Sequence, residues 1–192
     1  MTARGLLLVV ADPAPSIEEE FNAWYDTEHL PERAALPGFH TAMRFTSLGD
    51  GPRYAALYDL TDLSVLDSAP YQAVSGANFS PWTRRVMARA HPARMTARLV
   101  AGTAAPTGPC PRLMILKFRD CGAADAAQVM AGLEASLPHT RCRVFAGAEP
   151  SADFLLAVVE SPAPTIPPLG LDHLGEARGR LAMAATYRPY RG

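Results

Sequence analysis

Several residue types that carry common chemistry are scarce in this sequence. Lys117 is the only lysine among 18 basic residues, so a Schiff-base mechanism has no other lysine to use, and Lys117 itself lies inside a predicted strand. The three cysteines, Cys110, Cys121 and Cys142, form no Cys-x-x-Cys pair. Their number and spacing predict neither a disulfide framework nor a thiolate zinc site, and they fit a reducing cytosol.

Long apolar runs and runs of one charge are absent as well. No run approaches the roughly 18 apolar residues that a membrane-spanning helix needs, and the early run at residues 6–11 is too short for a signal peptide. We therefore expect a cytoplasmic protein without a membrane partner. Acidic and basic residues alternate along a chain of net charge -1, which leaves no basic surface for nucleic acid. The sequence also lacks a glycine-rich phosphate loop and a Gly-x-Ser-x-Gly elbow, which disfavours nucleotide-dependent and serine-hydrolase reactions.

The first half of the chain predicts the element order β-α-β-β-α-β. Residues 5–11 form a continuous apolar run, which is typical of a strand buried on both faces. A helix is expected to start at Pro15 with Ser16 as its N-cap, and Pro31 should end or kink it near His29, because proline removes a backbone donor. The remaining predicted elements are a strand, a turn, a strand, a helix in two pieces and a strand, at residues 39–48, 49–52, 53–60, 65–90 and 94–100.

A stretch without bulky apolar residues, rich in alanine, glycine and proline, follows at residues 102–111 and predicts a linker. After it the same order repeats, with predicted elements at residues 113–118, 123–137, 141–145, 154–160, 171–183 and 185–190. We therefore divide the chain into an N-terminal ferredoxin-like unit at 1–101, the linker at 102–111 and a divergent C-terminal ferredoxin-like unit at 112–192. One face of each isolated sheet would be bare and apolar, so the two units are expected to cover each other.

Titratable and aromatic groups concentrate at the end of the first predicted helix. A helical wheel places Glu28 in the sheet-facing sector of Ile17, Phe21 and Trp24, with His29 on its flank. A buried carboxylate must pair or hold its proton, and a histidine near a helix C-terminus exchanges protons near neutral pH. Glu28 and His29 are therefore the candidate catalytic acid and base. Their alternatives are a structural ion pair from Glu28 to Arg44 or Arg53 and a satisfied junction histidine.

Further residues near this pair are candidates for substrate binding. Arg44 or Arg53 would hold a substrate carboxylate or stabilise an enolate, while Tyr54 and Tyr58 would line an aromatic pocket. The remaining candidates are Trp24 and Tyr25, for which a role in the core is the alternative. For Arg44 the alternative is an ion pair across the interface between the two units.

A metal site would need three or four converging ligands. The acidic residues and histidine at 26, 28, 29 and 32 diverge around the helix unless a kink at Pro31 gathers them, so no metal is expected. We expect no other cofactor either.

The run from Trp24 to Phe39, which contains Glu28-His29-Leu30-Pro31, together with the hairpin that bears Arg44 and Tyr54, resembles the EthD-like branch of the dimeric α+β barrel superfamily. The resemblance covers residues 5–100 well and the rest only by topology. It implies an α+β fold in which two tandem ferredoxin-like βαββαβ units form a dimeric-type barrel within one chain. A further homodimer of such tandem chains stays open.

The resemblance also implies a function. In such relatives the histidine matched by His29 faces a cavity, and known activities include cofactor-free isomerisation, dehydration and cyclisation of aromatic, lactone or polyketide-like substrates. Our first hypothesis is therefore a cofactor-free enzyme that transfers a proton on a small-molecule ligand. The second is a non-catalytic ligand-binding or accessory barrel. Handling of haem, which other branches degrade, is a third. The N-terminal unit has no cysteine, which puts a thiol-assisted mechanism in doubt.

Overall fold

The structure is a computed structural model that describes residues 3–49, 51–148 and 153–192. The eight strands and the helical elements follow the predicted β-α-β-β-α-β order twice, with a 3-10 turn in place of the last helix. The strands are β1 Gly5–Ala11, β2 Met43–Ser47, β3 Tyr54–Leu60, β4 Ala93–Gly102, β5 Arg112–Arg119, β6 Arg141–Gly147, β7 Phe154–Ser161 and β8 Leu181–Pro189. The α-helices are α1 Pro15–Trp24, α2 Leu30–Ala34, α3 Ala69–Gln72, α4 Pro81–Ala90 and α5 Ala126–Ser136. A π-helical turn, Tyr25–His29, joins α1 to α2, and 3-10 turns lie at Leu63–Asp67, Gly76–Asn78, Ala123–Asp125 and Leu171–Arg180.

All eight strands form one closed antiparallel barrel. The strand order is β1-β3-β2-β8-β5-β7-β6-β4, so four adjacent strands come from each half of the chain. The halves meet where β2 pairs with β8 and where β4 pairs with β6. The expected α+β barrel within one chain is confirmed, and its closure leaves no free sheet edge in the described part of the structure.

The alternation of residues along each strand separates three apolar regions. The barrel interior takes residues from every strand, among them Leu8, Phe45, Leu57, Ile115 and Leu156. The opposite faces of the strands pack against helices. We call the space between α1, α4 and the first-half strands the N-terminal layer, and the space between α5, the 3-10 turn Leu171–Arg180 and the second-half strands the C-terminal layer.

Several predicted boundaries are wrong for local reasons. The first helix begins at Pro15 without a side-chain cap, so Ser16 is not its N-cap. The predicted helix at 171–183 is a 3-10 turn interrupted at Gly175, where the φ of 54° is unfavourable for other residues, and β8 begins already at Leu181. The predicted helix at 65–90 is regular only in α3 and α4. The predicted turn at 49–52 contains Asp50, which lies outside the described residues.

The segment at 103–111, predicted as a linker, packs against the barrel. Thr107 is 3% and Cys110 7% exposed, and the backbone N–H groups of Thr107 and Gly108 donate to Asp59 Oδ2 (2.7 Å) and Glu160 Oε2 (3.0 Å). Both carboxylates belong to interior-facing positions near the ends of their strands. The segment therefore covers one end of the barrel rather than spanning open solvent.

Candidate functional site

The helical segment that carries His29 does not end at Pro31. In the π-helical turn the N–H of Leu30 donates to the carbonyl of Tyr25, five residues back, and the chain then continues directly into α2. The extra residue in this turn lets Pro31 occupy the first turn of α2, where a missing N–H is tolerated. The predicted helix end near His29 is therefore wrong. His29 lies inside a continuous helical segment, so no helix C-terminus favours its charged form.

The His29 ring packs against aromatic neighbours. Its centroid lies 4.3 Å from that of Trp24 at an interplanar angle of 31°, and 5.3 Å from that of Tyr25 in an edge-on arrangement. The Nδ1 atom is buried and has no hydrogen-bond partner in the described structure. An unpartnered polar atom in such a place costs free energy and is unusual in a residue that only fills space.

The protonation state of His29 follows from this position. Burial, together with the positive charges of Arg33 and Arg44, lowers the pKa of His29 to about 3. The imidazole is therefore neutral at neutral pH, and the predicted proton exchange near pH 7 does not hold for the free protein. A negatively charged ligand beside the two arginines would offset their field and raise this pKa.

Glu28 is tied to α4. Its Oε1 accepts hydrogen bonds from the hydroxyls of Ser80 (2.5 Å) and Thr83 (2.8 Å), and Trp24 Nε1 donates to the same Thr83 hydroxyl at 2.9 Å. The carboxylate lies at the N-terminus of α4, where Ser80 caps the helix and a negative charge is favourable. The structural alternative for Glu28, an ion pair to Arg44 or Arg53, does not occur in the described structure, since the carboxylate faces α4 instead.

Arg44 is buried in a box of aromatic rings. Its guanidinium carbon lies 4.0 Å from the ring centroid of Tyr190 and 4.3 Å from that of Tyr25, with Phe21 and Tyr54 slightly farther away. Its two terminal nitrogens donate to Asp26 Oδ1 at 2.8 Å and Asn22 Oδ1 at 2.7 Å. The cation is thereby held rigidly, and the rings around it are favourable cation–π partners.

Sequence reasoning missed the residues that hold Arg44. The helical wheel pointed Asp26 away from the sheet, and neither Asn22 nor Tyr190 was distinguished by any local motif. Tyr190 follows β8, and its N–H donates to the carbonyl of Arg44 at 2.9 Å. Only the β2–β8 pairing, which is a long-range contact, brings it into the box.

Arg53 and Tyr54 belong to a network at the edge of the N-terminal layer that Asn22 links to Arg44. Glu18 accepts from Arg53 Nη1 at 2.5 Å and from the Tyr54 hydroxyl at 2.6 Å, and Asn22 donates to that hydroxyl at 3.1 Å. The hydrogen bonds from Tyr54 and Arg53 lower the pKa of Glu18. Tyr54 therefore presents a ring rather than a free hydroxyl to a ligand.

Tyr25 and Tyr58 are neighbouring buried phenols. Both are almost inaccessible, and the Tyr58 hydroxyl acts on the Tyr25 phenol but has no partner in good hydrogen-bond geometry in the described structure. Burial raises the pKa of Tyr25 to about 12 and that of Tyr58 well above its usual value. Arg33 and Arg44 act on both phenols and on His29, so these five side chains form one electrostatic cluster, which we call the polar cluster.

The free space near the polar cluster is narrow. A crevice of about 160 Å³ beside Arg44, Tyr25 and Tyr54 is too tight for a water-sized sphere. Four larger cavities, of about 380 to 590 Å³, are lined by neither His29 nor Glu28. One of these cavities adjoins the box of rings around Arg44, because Tyr54 and Tyr190 line both. The two predicted catalytic residues therefore do not open together onto any of these cavities.

Neither a metal nor a haem fits the polar cluster. Among the described residues no three His, Cys, Asp or Glu side chains come together as metal ligands. The acids near His29 have separate partners, since Asp26 pairs with Arg44 and Glu32 with Arg33. A haem would need a slot between helix and sheet, whereas the crevice in the N-terminal layer admits no water. The C-terminal layer is filled by buried aliphatic side chains.

A second buried ionic group lies inside the barrel, and the sequence reasoning missed it. Arg143 donates to Asp59 Oδ1 at 2.6 Å and to the Thr107 hydroxyl, and lies 3.4 Å from Glu160, which also pairs with Arg141. Burial opposes ionisation of Asp59, but Arg143 and the Thr107 hydrogen bonds outweigh it and lower the pKa of Asp59. The available signal was strand periodicity, which puts Asp59 on the same face as Ala55 and Leu57.

No protein-family model matches the chain, and no curated protein matches it. Solved structures do. An anthrone oxidase-like protein superposes with a TM-score of 0.66 at 12% identity, over 100% of this chain and 92% of that chain. A monooxygenase-like protein of Lactobacillus acidophilus NCFM gives 0.57 at 11% identity, over 98% and 94%. A mutant chlorite dismutase of Candidatus Nitrospira defluvii gives 0.60 at 10% identity, over 99% and 92%.

These structures share the fold of this chain along nearly its whole length. At such low identity the likeness carries the architecture and no site residue. No helix in the described ranges is long and apolar enough to cross a bilayer.

Proposed function

We propose that this chain is a cofactor-free enzyme that transfers a proton on a small aromatic, lactone or polyketide-like substrate. The observation that carries the proposal is the buried Nδ1 of His29, which has no partner in the described structure and belongs to a neutral imidazole beside two guanidinium groups. Such a nitrogen is a proton acceptor whose basicity depends on the charge of its neighbour. The names of the structural neighbours, anthrone oxidase-like and monooxygenase-like, fit an enzyme of small molecules.

The proposed mechanism begins with an anionic or enolisable substrate beside Arg33 and Arg44. The negative charge that the substrate carries, or that develops on it as its proton leaves carbon, offsets the two cations, so the imidazole of His29 takes up that proton. Arg44 stabilises the resulting enolate, while the Tyr58 hydroxyl donates a hydrogen bond to it. Isomerisation, dehydration and cyclisation all share this deprotonation. Trp24, Tyr25 and Tyr54 supply the aromatic walls, and Glu28 positions the helical segment.

Substrate must reach the polar cluster through the ring box. The half-buried Tyr190 lies on the side of the adjoining cavity of about 590 Å³, and the Tyr54 ring lines both that cavity and the crevice. A rotation of this ring would join the two spaces.

We also propose that the halves are tandem ferredoxin-like units of the EthD-like type, because β4-β1-β3-β2 and β8-β5-β7-β6 follow one order.

Exchange of substrate protons in D2O tests the proposal without knowledge of the product. An anthrone, an unsaturated lactone and a β-diketone are incubated with the protein, and deuterium incorporation is followed by NMR. We expect enzyme-dependent exchange with at least one probe, a loss of at least 100-fold in His29→Gln, and a smaller loss in Tyr58→Phe. The exposed His173→Gln is the matched control and should retain the wild-type rate. Exchange that persists in His29→Gln would remove His29 from the mechanism.

A non-catalytic binding barrel is the second candidate. The hydrogen bonds that Ser80 and Thr83 donate to Glu28 favour this candidate, because they occupy the carboxylate. In that case none of the probes would exchange faster with the protein than without it. His29→Gln would then change stability but not ligand affinity.

A further inference from the structure

A cavity of about 590 Å³ lies on the outer surface where the two halves of the barrel meet. Strands β2 and β8 pair along its floor, and the start of β5 and the residues after β8 form its walls. The lining side chains that matter are Thr46, Tyr54, Arg112, Arg188, Tyr190 and Arg191. We call this cavity the seam pocket.

The seam pocket concentrates arginines that form no ion pair within the described residues. In the described residues ten of the 17 arginines form ion pairs with acidic side chains, and seven do not. Three of those seven, Arg112, Arg188 and Arg191, line this one cavity, and none of its lining residues is acidic. The positive potential there is a local property, because the whole chain has a net charge of -1.

Strand geometry directs these groups toward the cavity. Thr46 and Arg188 are direct cross-strand partners, and the residues next to them, Phe45 and Tyr187, are fully buried inside the barrel. Because side chains alternate along a strand, Thr46 and Arg188 must point outward together. Arg112 opens β5 and is steadied by a hydrogen bond from its Nη1 to the carbonyl of Pro111 at 2.7 Å.

The remaining wall is aromatic and apolar. The rings of Tyr54 and Tyr190 meet edge-on with centroids 6.1 Å apart, and prolines 111, 164 and 189 complete the lining. Guanidinium groups bind phosphate and carboxylate through paired hydrogen bonds, and tyrosine rings pack against planar apolar groups. A ligand that satisfies both parts of the wall has an anionic group and a planar body.

We propose that the seam pocket is a binding site for a small aromatic anion that carries a phosphate or carboxylate group. Arg112 and Arg188 hold the anionic group with the Thr46 hydroxyl beside it, and the aromatic body lies against Tyr190. The site does not depend on proton transfer by His29, since neither His29 nor Glu28 lines it. Phosphate and carboxylate ligands share this chemistry, and the experiment separates them.

Isothermal titration calorimetry with phenyl phosphate, phthalate and neutral benzyl alcohol tests the site. We expect saturable binding of at least one anion and none of benzyl alcohol. Affinity should fall with added salt, because screening weakens the ionic contacts. Binding of phenyl phosphate alone, or of phthalate alone, supports the site and identifies its anion class.

A matched pair of double variants separates the site from general electrostatics. Arg112→Gln with Arg188→Gln should weaken anion binding at least tenfold. Arg84→Gln with Arg94→Gln removes the same charge from two exposed arginines without ion pairs in the described structure, and should change affinity less than twofold. Absence of saturable binding by wild type, or equal losses in the two variants, would overturn the proposal. Thermal unfolding of both variants checks that they fold, and their deuterium exchange rates report on His29 independently.

Discussion

The two halves of this barrel have the same strand order and very different helix–sheet layers. The N-terminal layer buries five aromatic side chains, Phe21, Trp24, Tyr25, Tyr54 and Tyr58, together with the guanidinium of Arg44. The C-terminal layer is built from Leu, Val, Ala, Met and Cys, with one aromatic residue. Covering a sheet therefore needs only apolar volume, and the polar cluster is an addition that one half carries and the other does without.

The two layers also differ in how closely and how regularly their helical elements pack. In the C-terminal layer α5 presents small and aliphatic residues, and Gly132 lets the backbone at His173 approach so closely that a Cβ would lie 2.5 Å from the carbonyl oxygen. In the N-terminal layer the π-helical turn sacrifices regular helix geometry and places His29 and Tyr25 against Trp24. Close packing of aliphatic side chains marks the C-terminal half, which we call the supporting half, and packing around buried polar atoms marks the half with the candidate site.

The largest expected effect lies in the supporting half. Leu133 is fully buried in the C-terminal layer, so Leu133→Ala should lower the free energy of unfolding by about 2 to 5 kcal/mol through lost burial and a residual cavity. Urea denaturation measures the loss. The NMR titration of His29 should be unchanged in this variant. A shift of the His29 pKa would show that the two layers are coupled, and the comparison between them would fail.

The next effect is a pH dependence that belongs to the N-terminal layer alone. His29 stays neutral in the folded protein down to a pKa of about 3, whereas the unfolded chain binds its proton near pH 6.5. The contribution of His29 to the free energy of unfolding is thus fully present above pH 6.5. It declines as the pH falls toward 3, with a slope approaching about 1.4 kcal/mol per pH unit.

Urea denaturation of wild type and His29→Gln at pH 7, 6, 5 and 4.5 isolates this slope, because other titrating groups are common to both proteins. The free energy of unfolding of wild type should fall steadily relative to that of His29→Gln as the pH is lowered. His173→Gln should show no such trend. A difference that stays constant from pH 7 to 4.5 would mean that His29 is not held neutral.

The smallest expected effects are those of replacing two arginines of the N-terminal half, Arg44 and Arg53. Arg44→Met keeps apolar volume in the ring box but removes the pairings with Asp26 and Asn22, and should cost about 1 to 3 kcal/mol because Asp26 is itself partly exposed. The His29 pKa should rise, since Arg44 lowers it. Arg53→Met breaks the more exposed pair with Glu18 and should cost less than about 1 kcal/mol. NMR titration showing the same His29 pKa in both variants would exclude Arg44 from the polar cluster.

The sequence allowed much of the fold to be predicted, because period-2 alternation is a local property. It placed Tyr54 and Tyr58 on one face of β3 and Leu57 and Asp59 on the other, as the structure has them. The wrong predictions arise where a local irregularity or a distant residue decides. Pro31 locally favours a helix end, yet a π-helical turn carries the helix past it.

The hydrogen-bond and ion-pair partners of the buried charged residues could not be predicted either, because they lie far away in the sequence. The structural alternative for Glu28 was an ion pair with Arg44 or Arg53, but its partners Ser80 and Thr83 lie more than 50 positions away. The Asp59–Arg143 pair joins the two halves of the chain across 84 positions. No local pattern specifies such a match, although a charge on a buried face signals that a partner exists. The roles of His29, Glu28 and the aromatic residues in catalysis and binding stay predictions.

Closure of the barrel within one polypeptide has a consequence for its assembly and for its evolution. A barrel made from two separate chains dissociates on dilution, whereas here strand pairings β2–β8 and β4–β6 are intramolecular and independent of concentration. Two-fold symmetry would also force every substitution to occur twice. A single chain is free of that constraint, so a mutation that introduces a charge or a histidine on one side is not repeated on the other.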